Sequence, residues 1–577
     1  MTMPHSRADL RSPASPDSGQ EATIRMYGQG VGDCFLLSFP RADDESSHVH
    51  VVIDCGVVAG TPDDTERLNS IVTDIGKTTG NHIDLLVITH EHWDHLSGFL
   101  RAADLWAGIR IDQLWTSWTE LDEEGLPEVL KRILEKHRRA LTTVADRAMR
   151  LGIMERQQTA LGLLSFMMDV APEGMPFSAA PTVSSIFTDL KKRFSDGAHE
   201  FLEPGEIRLV PGTGTHCYVL GPPRSDTRLR QTRPTKAKET YEAKEDGAKS
   251  NAEMDRENPL RAMESDRSRF QAFALSLLGP SMISFDGGLA EPEVQDDGND
   301  REEITRRAKQ AAVMEWESYE QTFPFDRSFR VSLSDAELAG RAHPDQFPTL
   351  ASYIDEVNYW RRIDFDWLGQ AETLALQADH LTNNTSLVLA FELPAARRAD
   401  RKVLLFVGDA QVGNWLSWDD IERWKPVGEA KGRARQADMD ELLSRVVFYK
   451  VGHHGSHNAT LKERGVERMP EGGFTAFVPV SVAVAREVKG WEQMPLDELL
   501  DALSRRTGGR VILADGTIWE PTEEASRKGR SGERRSESGL IVSEERLPEK
   551  RRKGRGDDKG ELLEGEVPLW VQISVPF

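Results

Sequence analysis

Short apolar runs separated by polar turns occur near both ends of the chain, and they predict the strands of a mixed α/β fold. Such runs, four to eight residues long, are typical of strands buried in a sheet. The glycine-rich turn at 28–33 separates the first two runs and predicts a β-hairpin. The runs in the N-terminal part lie at 23–27, 34–39, 49–53 and 83–89. A helix is predicted over 62–75, between the third and fourth runs.

Strand-like runs return after a long central region of different character. That region is mainly amphipathic and helical over 102–201, and it is very polar over 224–259. The later runs lie at 206–220, 386–391, 402–407, 446–451, 473–480, 511–514 and 567–575. Strands at both ends of the chain therefore predict one core that is interrupted by insertions.

These patterns divide the chain into a core and its insertions. In chain order we expect a disordered leader at 1–20, a first part of the core at 21–101, a helical insertion at 102–201, return strands at 202–223, a flexible and helical insertion at 224–370, a second part of the core at 371–520, a charged loose segment at 521–565 and a final strand at 566–577.

Composition narrows the classes of protein that this core can belong to. The mean hydropathy is −0.49 and no apolar run approaches the length of a membrane span, so no membrane association is expected. The three cysteines do not form a disulfide framework, and a reducing, cytoplasmic location is expected. A formal net charge of −23 argues against a broadly basic nucleic-acid surface, although it leaves a local basic groove open.

The clearest chemical signal follows the apolar run at 83–89. It reads Thr-His-Glu-His-Trp-Asp-His over 89–95, so three imidazoles and the carboxylate of Asp94 fall within six residues. In extended backbone His90 and His92 point the same way, while Asp94 and His95 reach a second position as the chain turns. Imidazole and carboxylate are ligands for divalent metal ions, which makes a metal site the favoured interpretation.

Polar residues also follow other predicted strands. Asp54 ends the third run, Asp409 follows Gly408 after the run at 402–407, and His453-His454-Gly455-Ser456 follows the run at 446–451. An aspartate after a strand is usually a turn residue, so each signal is weak alone.

The stretch at 90–95 resembles the His-x-His-x-Asp-His signature of the metallo-β-lactamase superfamily. The final His-His-Gly-Ser, the turn at 28–33 and Asn383-Asn384-Thr385-Ser386 are similar to one branch of it. That branch contains the nuclease-like domain of the DNA-uptake protein ComEC and a phosphorylcholine esterase. The resemblance implies an α/β fold, a four-layer αββα sandwich, with a long, mainly helical insertion.

The resemblance also implies a site with two divalent cations, zinc or manganese before magnesium. The metal ligands it implies are His90, His92, Asp94, His95, Asp409 and His454. Asp94 and His453 would take catalytic roles, and Asp54 would orient a ligand histidine. Ser456 would fix its loop or touch an anion. Asn383 and Asn384 stand where many members carry a ligand histidine, so one cation would keep more water unless His380 substitutes.

Three functions follow as expectations. The first is a phosphodiesterase, above all a nuclease, that uses a metal-activated hydroxide on nucleic acid. The second is a small-molecule hydrolase acting on a lactone, thioester, β-lactam or cyclic nucleotide, which the acidic net charge mildly favours. The third is a binding protein that docks protein partners through the helical insertion. The sequence leaves the oligomeric state open.

Overall fold

The computed structural model of the chain describes the sheets, the helices around them and the candidate site. The described residues are 20–44, 46–150, 181–194, 197–232, 234, 239–241, 339–355, 378–432, 436–489, 491, 493–521, 542–546 and 568–577. The chain divides into two compact units. The first comprises Met1–Arg139, Leu161–Ala248 and Ala375–Phe577, and the second comprises Ala140–Ala160 and Lys249–Leu374. Both sheets and all candidate site residues belong to the first unit.

One sheet has eight strands, with an antiparallel part followed by a parallel part. Its order is β15-β16-β1-β2-β3-β4-β5-β6. The pairs from β15 to β3 are antiparallel, whereas β3, β4, β5 and β6 run parallel. The strands are β1 Glu21–Tyr27, β2 Cys34–Pro40, β3 His48–Cys55, β4 His82–Val87, β5 Arg110–Ser117, β6 His199–Leu202, β15 Val542–Arg546 and β16 Pro568–Pro576.

The other sheet also has eight strands and mixed direction, in the order β11-β7-β8-β9-β10-β12-β13-β14. Strands β10, β12, β13 and β14 are parallel, while β7 to β10 pair antiparallel in succession. The strands are β7 Glu206–Leu209, β8 His216–Gly221, β9 Val388–Glu392, β10 Val403–Phe406, β11 Lys425–Pro426, β12 Val446–Lys450, β13 Thr475–Val478 and β14 Val511–Leu513.

Helices connect many of these strands. They are α1 Asp64–Thr79, α2 Trp93–Arg101, α3 Ala103–Ala107, α4 Leu126–Arg150, α5 Val183–Lys191, α6 Asp226–Leu229, α7 Pro348–Ile354, α8 Val412–Ser417, α9 Met439–Leu443 and α10 Asp497–Thr507. Residues 378–384 are also helical. Helix α7 lies in the second unit. In the described part of the chain, no helix combines the length and the apolar character that a membrane crossing requires.

Three large hydrophobic cores lie in the described part of the first unit, besides a smaller cluster around Trp118. One contains side chains of both sheets, such as Phe35 and Leu85 with Phe406 and Phe448. The second joins the first sheet to α1, α2 and α5, and the third joins the second sheet to α8, α9 and α10. Because each fully buried large apolar side chain contributes about 1.5–3 kcal/mol, these cores supply the rigidity that a polar site needs.

The α/β class and two mixed sheets agree with the sequence expectation at this coarse level. The segment predicted as a helical insertion over 102–201 differs, because it contains strands β5 and β6. The first half of β5 is polar, which hides the strand in the sequence. Parallel pairing with β4 supplies its backbone hydrogen bonds, and its buried end carries Leu114 and Trp115.

The charged segment predicted to be loose over 521–565 also contains a strand, β15, which pairs antiparallel with β16 at the sheet edge. Charged composition does not prevent this, because edge strands pair through the backbone and tolerate charge. The predicted leader, most of the insertion at 224–370 and the rest of 521–565 lie outside the described residues.

Strand β3 carries a partly buried histidine in a polar network. The backbone N–H of His50 donates to Asp84 Oδ2 at 2.8 Å, and its Nδ1 lies 3.0 Å from Ser38 Oγ. Burial lowers the pKa of His50 to about 4, with His48, His82 and Arg41 acting in the same direction and Asp84 opposing them. The imidazole is therefore neutral in the folded protein at pH 7.

This depressed pKa predicts a measurable dependence of stability on pH. An unfolded histidine has a pKa near 6.5, so between pH 6.5 and about 4 the unfolded chain binds one more proton than the folded chain at this site. The free energy of unfolding should fall as pH decreases through this window, by up to about 1.4 kcal/mol per pH unit from His50, less screening by solvent. In urea unfolding, His50→Gln should flatten this slope, while His48→Gln, a control that keeps the His50 imidazole, should not. Equal slopes in all three proteins would contradict the assignment.

Candidate metal centre

The candidate site residues follow the carboxyl ends of parallel strands. Asp54 lies in β3, and the segment 89–95 follows β4; Asp409 follows β10, and His453-His454 follows β12. Since β3 pairs parallel with β4, and β10 with β12, each sheet brings its two segments to one edge. The Leu387 N–H donates to Thr89 O at 2.9 Å, so the edges of the two sheets meet at the site.

The glycine-rich loop between β1 and β2 places a further carboxylate beside the histidine motif. The Asp33 N–H donates to Asp94 O at 3.0 Å, and the Gly56 N–H donates to Asp33 O at 3.0 Å. A Cβ atom at Gly56 would lie 2.4 Å from the carbonyl carbon of Asp94, and one at Gly32 would lie 2.7 Å from Asp94 O. Any side chain at Gly32 or Gly56 would therefore push the loop away and withdraw Asp33 from the site.

Four buried side chains converge closely enough to hold a metal ion. One ligand atom from each lies within 4.8 Å of the others, and the set is Asp33, His95, Asp409 and His454. His95 Nε2 lies 3.2 Å and His454 Nε2 lies 3.5 Å from Asp409 Oδ2. Asp94 extends this cluster, since its Oδ2 lies 2.8 Å from His454 Nε2.

The donor set fits a divalent cation. Among the described residues, four buried atoms of this cluster have no hydrogen-bond partner: Asp33 Oδ1, Asp94 Oδ1, His95 Nε2 and Asp409 Oδ2. Buried polar atoms without a partner are costly, at about 1–3 kcal/mol each. Nitrogen and oxygen atoms gathered in this way are the ligands that zinc and manganese accept, so a cation bound here would satisfy them.

The nitrogens that face away from the cluster have fixed partners. His95 Nδ1 lies 2.8 Å from Asp54 Oδ2, and His454 Nδ1 lies 3.0 Å from Pro479 O. Asp54 is itself held by the Thr89 N–H at 2.8 Å and the Thr89 hydroxyl at 2.7 Å. These contacts keep Nδ1 protonated and set both rings so that Nε2 faces the cluster.

His90 and His92 form a second imidazole pair beside the cluster. His90 Nε2 and His92 Nδ1 lie 3.1 Å apart, and both side chains are buried. Burial lowers the pKa of His90 well below its usual value, and the neighbouring His95 and His92 lower it further. Burial also lowers the pKa of His92 to about 4. Both imidazoles are therefore neutral at pH 7, which is the form that binds metal.

The carboxylates of the cluster are ionised despite their burial. Burial opposes ionisation of Asp94, but His95 and the hydrogen bond from His454 lower its pKa to about 2. For Asp409, Lys450 and His95 outweigh burial and hold the pKa well below its usual value. The pKa values of His95 and His454 are raised against the effect of burial, chiefly by Asp409. The cluster thus concentrates charge away from water.

A buried lysine organises two of these carboxylates. Lys450, the last residue of β12, places Nζ 2.5 Å from Asp33 Oδ2, 3.1 Å from Asp409 Oδ1 and 2.7 Å from Gly408 O. Both carboxylates raise the pKa of Lys450 against the effect of burial, so it is charged. Because the His453 N–H also donates to Asp409 Oδ1 at 3.1 Å, only Oδ2 of Asp409 faces the histidines.

His453 lies beside the cluster within a polar group. Its Nδ1 is 2.9 Å from Ser456 Oγ, and its Nε2 is 3.5 Å from Asn383 Nδ2. His453 and His454 have positive φ angles of 42° and 53°, which non-glycine residues rarely adopt. Such outliers concentrate at functional sites, where surrounding contacts maintain them.

Two other residues considered from the sequence are engaged elsewhere. Asn384 donates to Leu229 O at 3.1 Å and to Gln231 O at 3.0 Å, and its Oδ1 accepts from the Asn414 N–H at 3.2 Å. Asn384 therefore connects the end of helix α6 and the residues just after it with helix α8. His380 Nδ1 lies 2.8 Å from Gln411 Oε1.

Sequence reasoning missed three charged residues of this centre: Asp33, Lys450 and Asp379. Each had a faint signal: an aspartate closing a glycine-rich turn, a lysine ending an apolar strand, and an acid in the helix before Asn383-Asn384. Asp379 accepts from Asn383 Nδ2 at 3.0 Å. Burial, together with the negative charges of Asp94 and Asp409, raises the pKa of Asp379 to about 8.

Comparison with known proteins adds no family assignment. No protein-family model matches the chain, and no curated protein matches it. The resemblance of the motifs to the metallo-β-lactamase superfamily therefore stays a prediction.

The contacts of Lys450 predict a large effect on stability. Lys450→Met keeps the length of the side chain but leaves Asp33 and Asp409 buried without their cation, which should cost about 3–5 kcal/mol. The measurement is urea unfolding with a chelator present, so that bound metal does not contribute. Lys192→Met, at an exposed position, is the control and should change stability by less than about 0.5 kcal/mol. A loss as small for Lys450→Met as for the control would contradict this account.

Proposed function

We propose that the chain is a metal-dependent hydrolase of the metallo-β-lactamase fold. The observation that carries the proposal is the convergence of Asp94, His95, Asp409 and His454 from three distant segments, in the order that the resemblance implies. The three hydrophobic cores, with helices packed on each sheet, support the αββα order of layers.

Within this class we propose a phosphodiesterase, with nucleic acid as the favoured substrate. Support comes from the His-His-Gly-Ser motif and from Asn383, whose side chain lies near His453 where many members have a ligand histidine. An amide in that place leaves one cation with fewer protein ligands, which suits an oxygen-rich phosphodiester. The acidic net charge of −23 favours a small-molecule hydrolase as the second candidate.

The side chains divide into two sets of ligands around one shared carboxylate. His90 Nε2 and His92 Nδ1 face each other and would hold one cation. Asp94, His95 and His454 would hold the other. Asp409, whose Oδ2 lies 3.2 Å from His95 Nε2, would be the carboxylate that both cations share, as the resemblance implies. Bound cations, zinc or manganese in preference to magnesium, supply a Lewis acid that activates water and stabilises developing negative charge.

The protein's own groups would then handle protons and orientation. Asp94, which is fully buried at the cluster, would accept a proton from water while it holds the cation, the catalytic role that the resemblance implies. The Ser456 hydroxyl donates to Asn458 Oδ1, so its oxygen accepts from His453 Nδ1–H. His453 Nε2 is then a hydrogen-bond acceptor. Since burial lowers the pKa of His453 to about 3, it would orient water or a substrate hydroxyl and not donate a proton.

Metal content is the first test of this proposal. Elemental analysis of the purified wild-type chain should find about two divalent cations per molecule. His92→Ala should lose one of them, and Asp409→Ala should weaken both, because on this proposal both cations share the carboxylate of Asp409. His48→Ala, at an exposed position remote in sequence, is the control and should keep the wild-type content. A wild-type protein without bound metal, even after incubation with zinc or manganese, would contradict the proposal.

Activity distinguishes the phosphodiesterase from its alternative. Single- and double-stranded DNA and RNA should be cleaved in the presence of Mn²⁺, Mg²⁺ or Zn²⁺, and Asp409→Asn should reduce the rate by about 100-fold or more. Parallel assays use a lactone, a thioester, a β-lactam and a cyclic nucleotide. Metal-dependent hydrolysis of one of these, without cleavage of nucleic acid, would replace the phosphodiesterase by the small-molecule hydrolase. Metal binding without any hydrolysis would favour the binding protein.

A further inference from the structure

The helical stretch 378–384 carries a carboxylate that the ligand set above does not use. Asp379 Oδ2 accepts from Asn383 Nδ2 at 3.0 Å, one turn later in the helix. Asp379 Oδ1 is buried and has no hydrogen-bond partner among the described residues. It lies 3.8 Å from His92 Nε2. One oxygen is thus anchored by the helix while the other faces an imidazole.

The orientation of His92 shows which of its nitrogens is directed at the neighbouring histidine. His92 Nδ1 lies 3.1 Å from His90 Nε2. Two nitrogens that bind the same metal ion at about 2.0–2.1 Å lie about 2.8–3.4 Å apart, from adjacent octahedral positions to tetrahedral ones. The pair His90 Nε2 and His92 Nδ1 therefore suits a shared cation, and His92 Nε2 is left on the opposite side of the ring, toward Asp379.

The other three histidines of the proposed ligand set, His90, His95 and His454, show the same division between their two ring nitrogens. In each of them, the ring nitrogen that faces away from the proposed metal ions has a hydrogen-bond partner. The partners are Asp54 for His95, Pro479 O for His454 and the Thr89 hydroxyl, at 3.0 Å, for His90. Such partners fix the tautomer and ring orientation of a metal ligand and increase its basicity. For His92 the carboxylate in the matching position is Asp379.

The charge surroundings of Asp379 agree with this role. Within the described residues its ion-pair contacts are with histidines, His92 at 3.8 Å and His380 at 3.9 Å, and not with a lysine or arginine. A carboxylate in a buried place without a permanent cation is costly unless a partner arrives. The N–H of a metal-bound imidazole is such a partner, because coordination makes it a stronger donor.

We propose that Asp379 is the positioning residue of His92, accepting a hydrogen bond from His92 Nε2–H and thereby directing Nδ1 at the cation shared with His90. The proposal rests on the proposed metal-dependent function. His92 Nε2 and Asp379 Oδ1 are 3.8 Å apart, so an approach of about 0.8 Å would bring them to an ordinary hydrogen-bond length. Asn383 holds the other oxygen, so the helix determines where the carboxylate can go.

The test uses the purified full-length chain, freed of metal and titrated with cobalt(II). Visible absorption follows the coordination of the cation, and competition with a chelator gives its affinity. Asp379→Asn should weaken one of the two cations by about 10–100-fold and change its absorption band, because the charged acceptor for His92 is lost. The other cation should keep its affinity. Asp379→Glu should restore part of the loss.

Asp501→Asn is the matched control, because Asp501 is also a buried helical carboxylate and accepts a hydrogen bond from Trp519 Nε1 at 2.9 Å. It should leave both cobalt affinities and the spectrum unchanged. The unfolding midpoint of the metal-free Asp379→Asn protein should not fall below that of wild type, which excludes a merely structural effect. If that variant does not fold, Asn383→Ala, which removes the anchor of Asp379, should weaken the same cation.

Two results would overturn the proposal in distinguishable ways. If wild type binds two cobalt ions and Asp379→Asn binds them with the same affinities and spectrum, Asp379 does not position His92, and the proposed function is unaffected. If wild type binds no cobalt, both the role of Asp379 and the proposed metal-dependent function are contradicted.

Discussion

A single buried ammonium group links the two halves of the candidate site. Nζ of Lys450 comes from the second sheet, and it contacts Asp33 from the hairpin of the first sheet and Asp409 from the loop after β10. Desolvating these charges is costly, so the three groups are stable only together. Lys450 also occupies Oδ1 of Asp409 and leaves Oδ2 toward His95 and His454. The arrangement of the histidines around Asp409 thus depends on a residue that is not itself a candidate ligand.

The site is held in a conformation that the backbone does not prefer. Asp54, His453 and His454 all have positive φ angles, and residues in such conformations cost about 1–3 kcal/mol each. Buried atoms without hydrogen-bond partners, among those the structure describes, add to this cost. The hydrophobic cores on both sides of the two sheets compensate. A bound cation would remove part of the electrostatic cost, so we expect metal binding and folding stability to be coupled.

Sequence reasoning found what is encoded locally. The apolar runs that became β2, β3, β12 and β13, and the dense motif over 89–95, are recognisable without knowledge of any distant residue. Asp33, Lys450 and Asp379 were missed because their roles arise only when β1–β2, β12 and the helix at 378–384 approach the motif in space. The strands β5 and β15 were missed for a related reason, since their pairing partners, and not their own composition, determine their conformation.

The acidic net charge of the chain does not decide the charge of its substrate. Burial and neighbouring carboxylates raise the pKa of Asp379 to about 8, so it is largely uncharged at pH 7 without metal. The carboxylates of the other acids still outnumber the buried cations, even when His95 and His454, whose pKa values are raised, are protonated together with Lys450. The metal-free site therefore carries a net negative charge and repels a phosphodiester; the acids are Asp33, Asp54, Asp94 and Asp409. Two divalent cations would neutralise this charge. Because the interaction of buried charges is little screened by salt, the local balance outweighs the distant surface acids. On the proposed function, binding of an anionic substrate therefore requires that the cations bind first, whereas a neutral ester would not show this order.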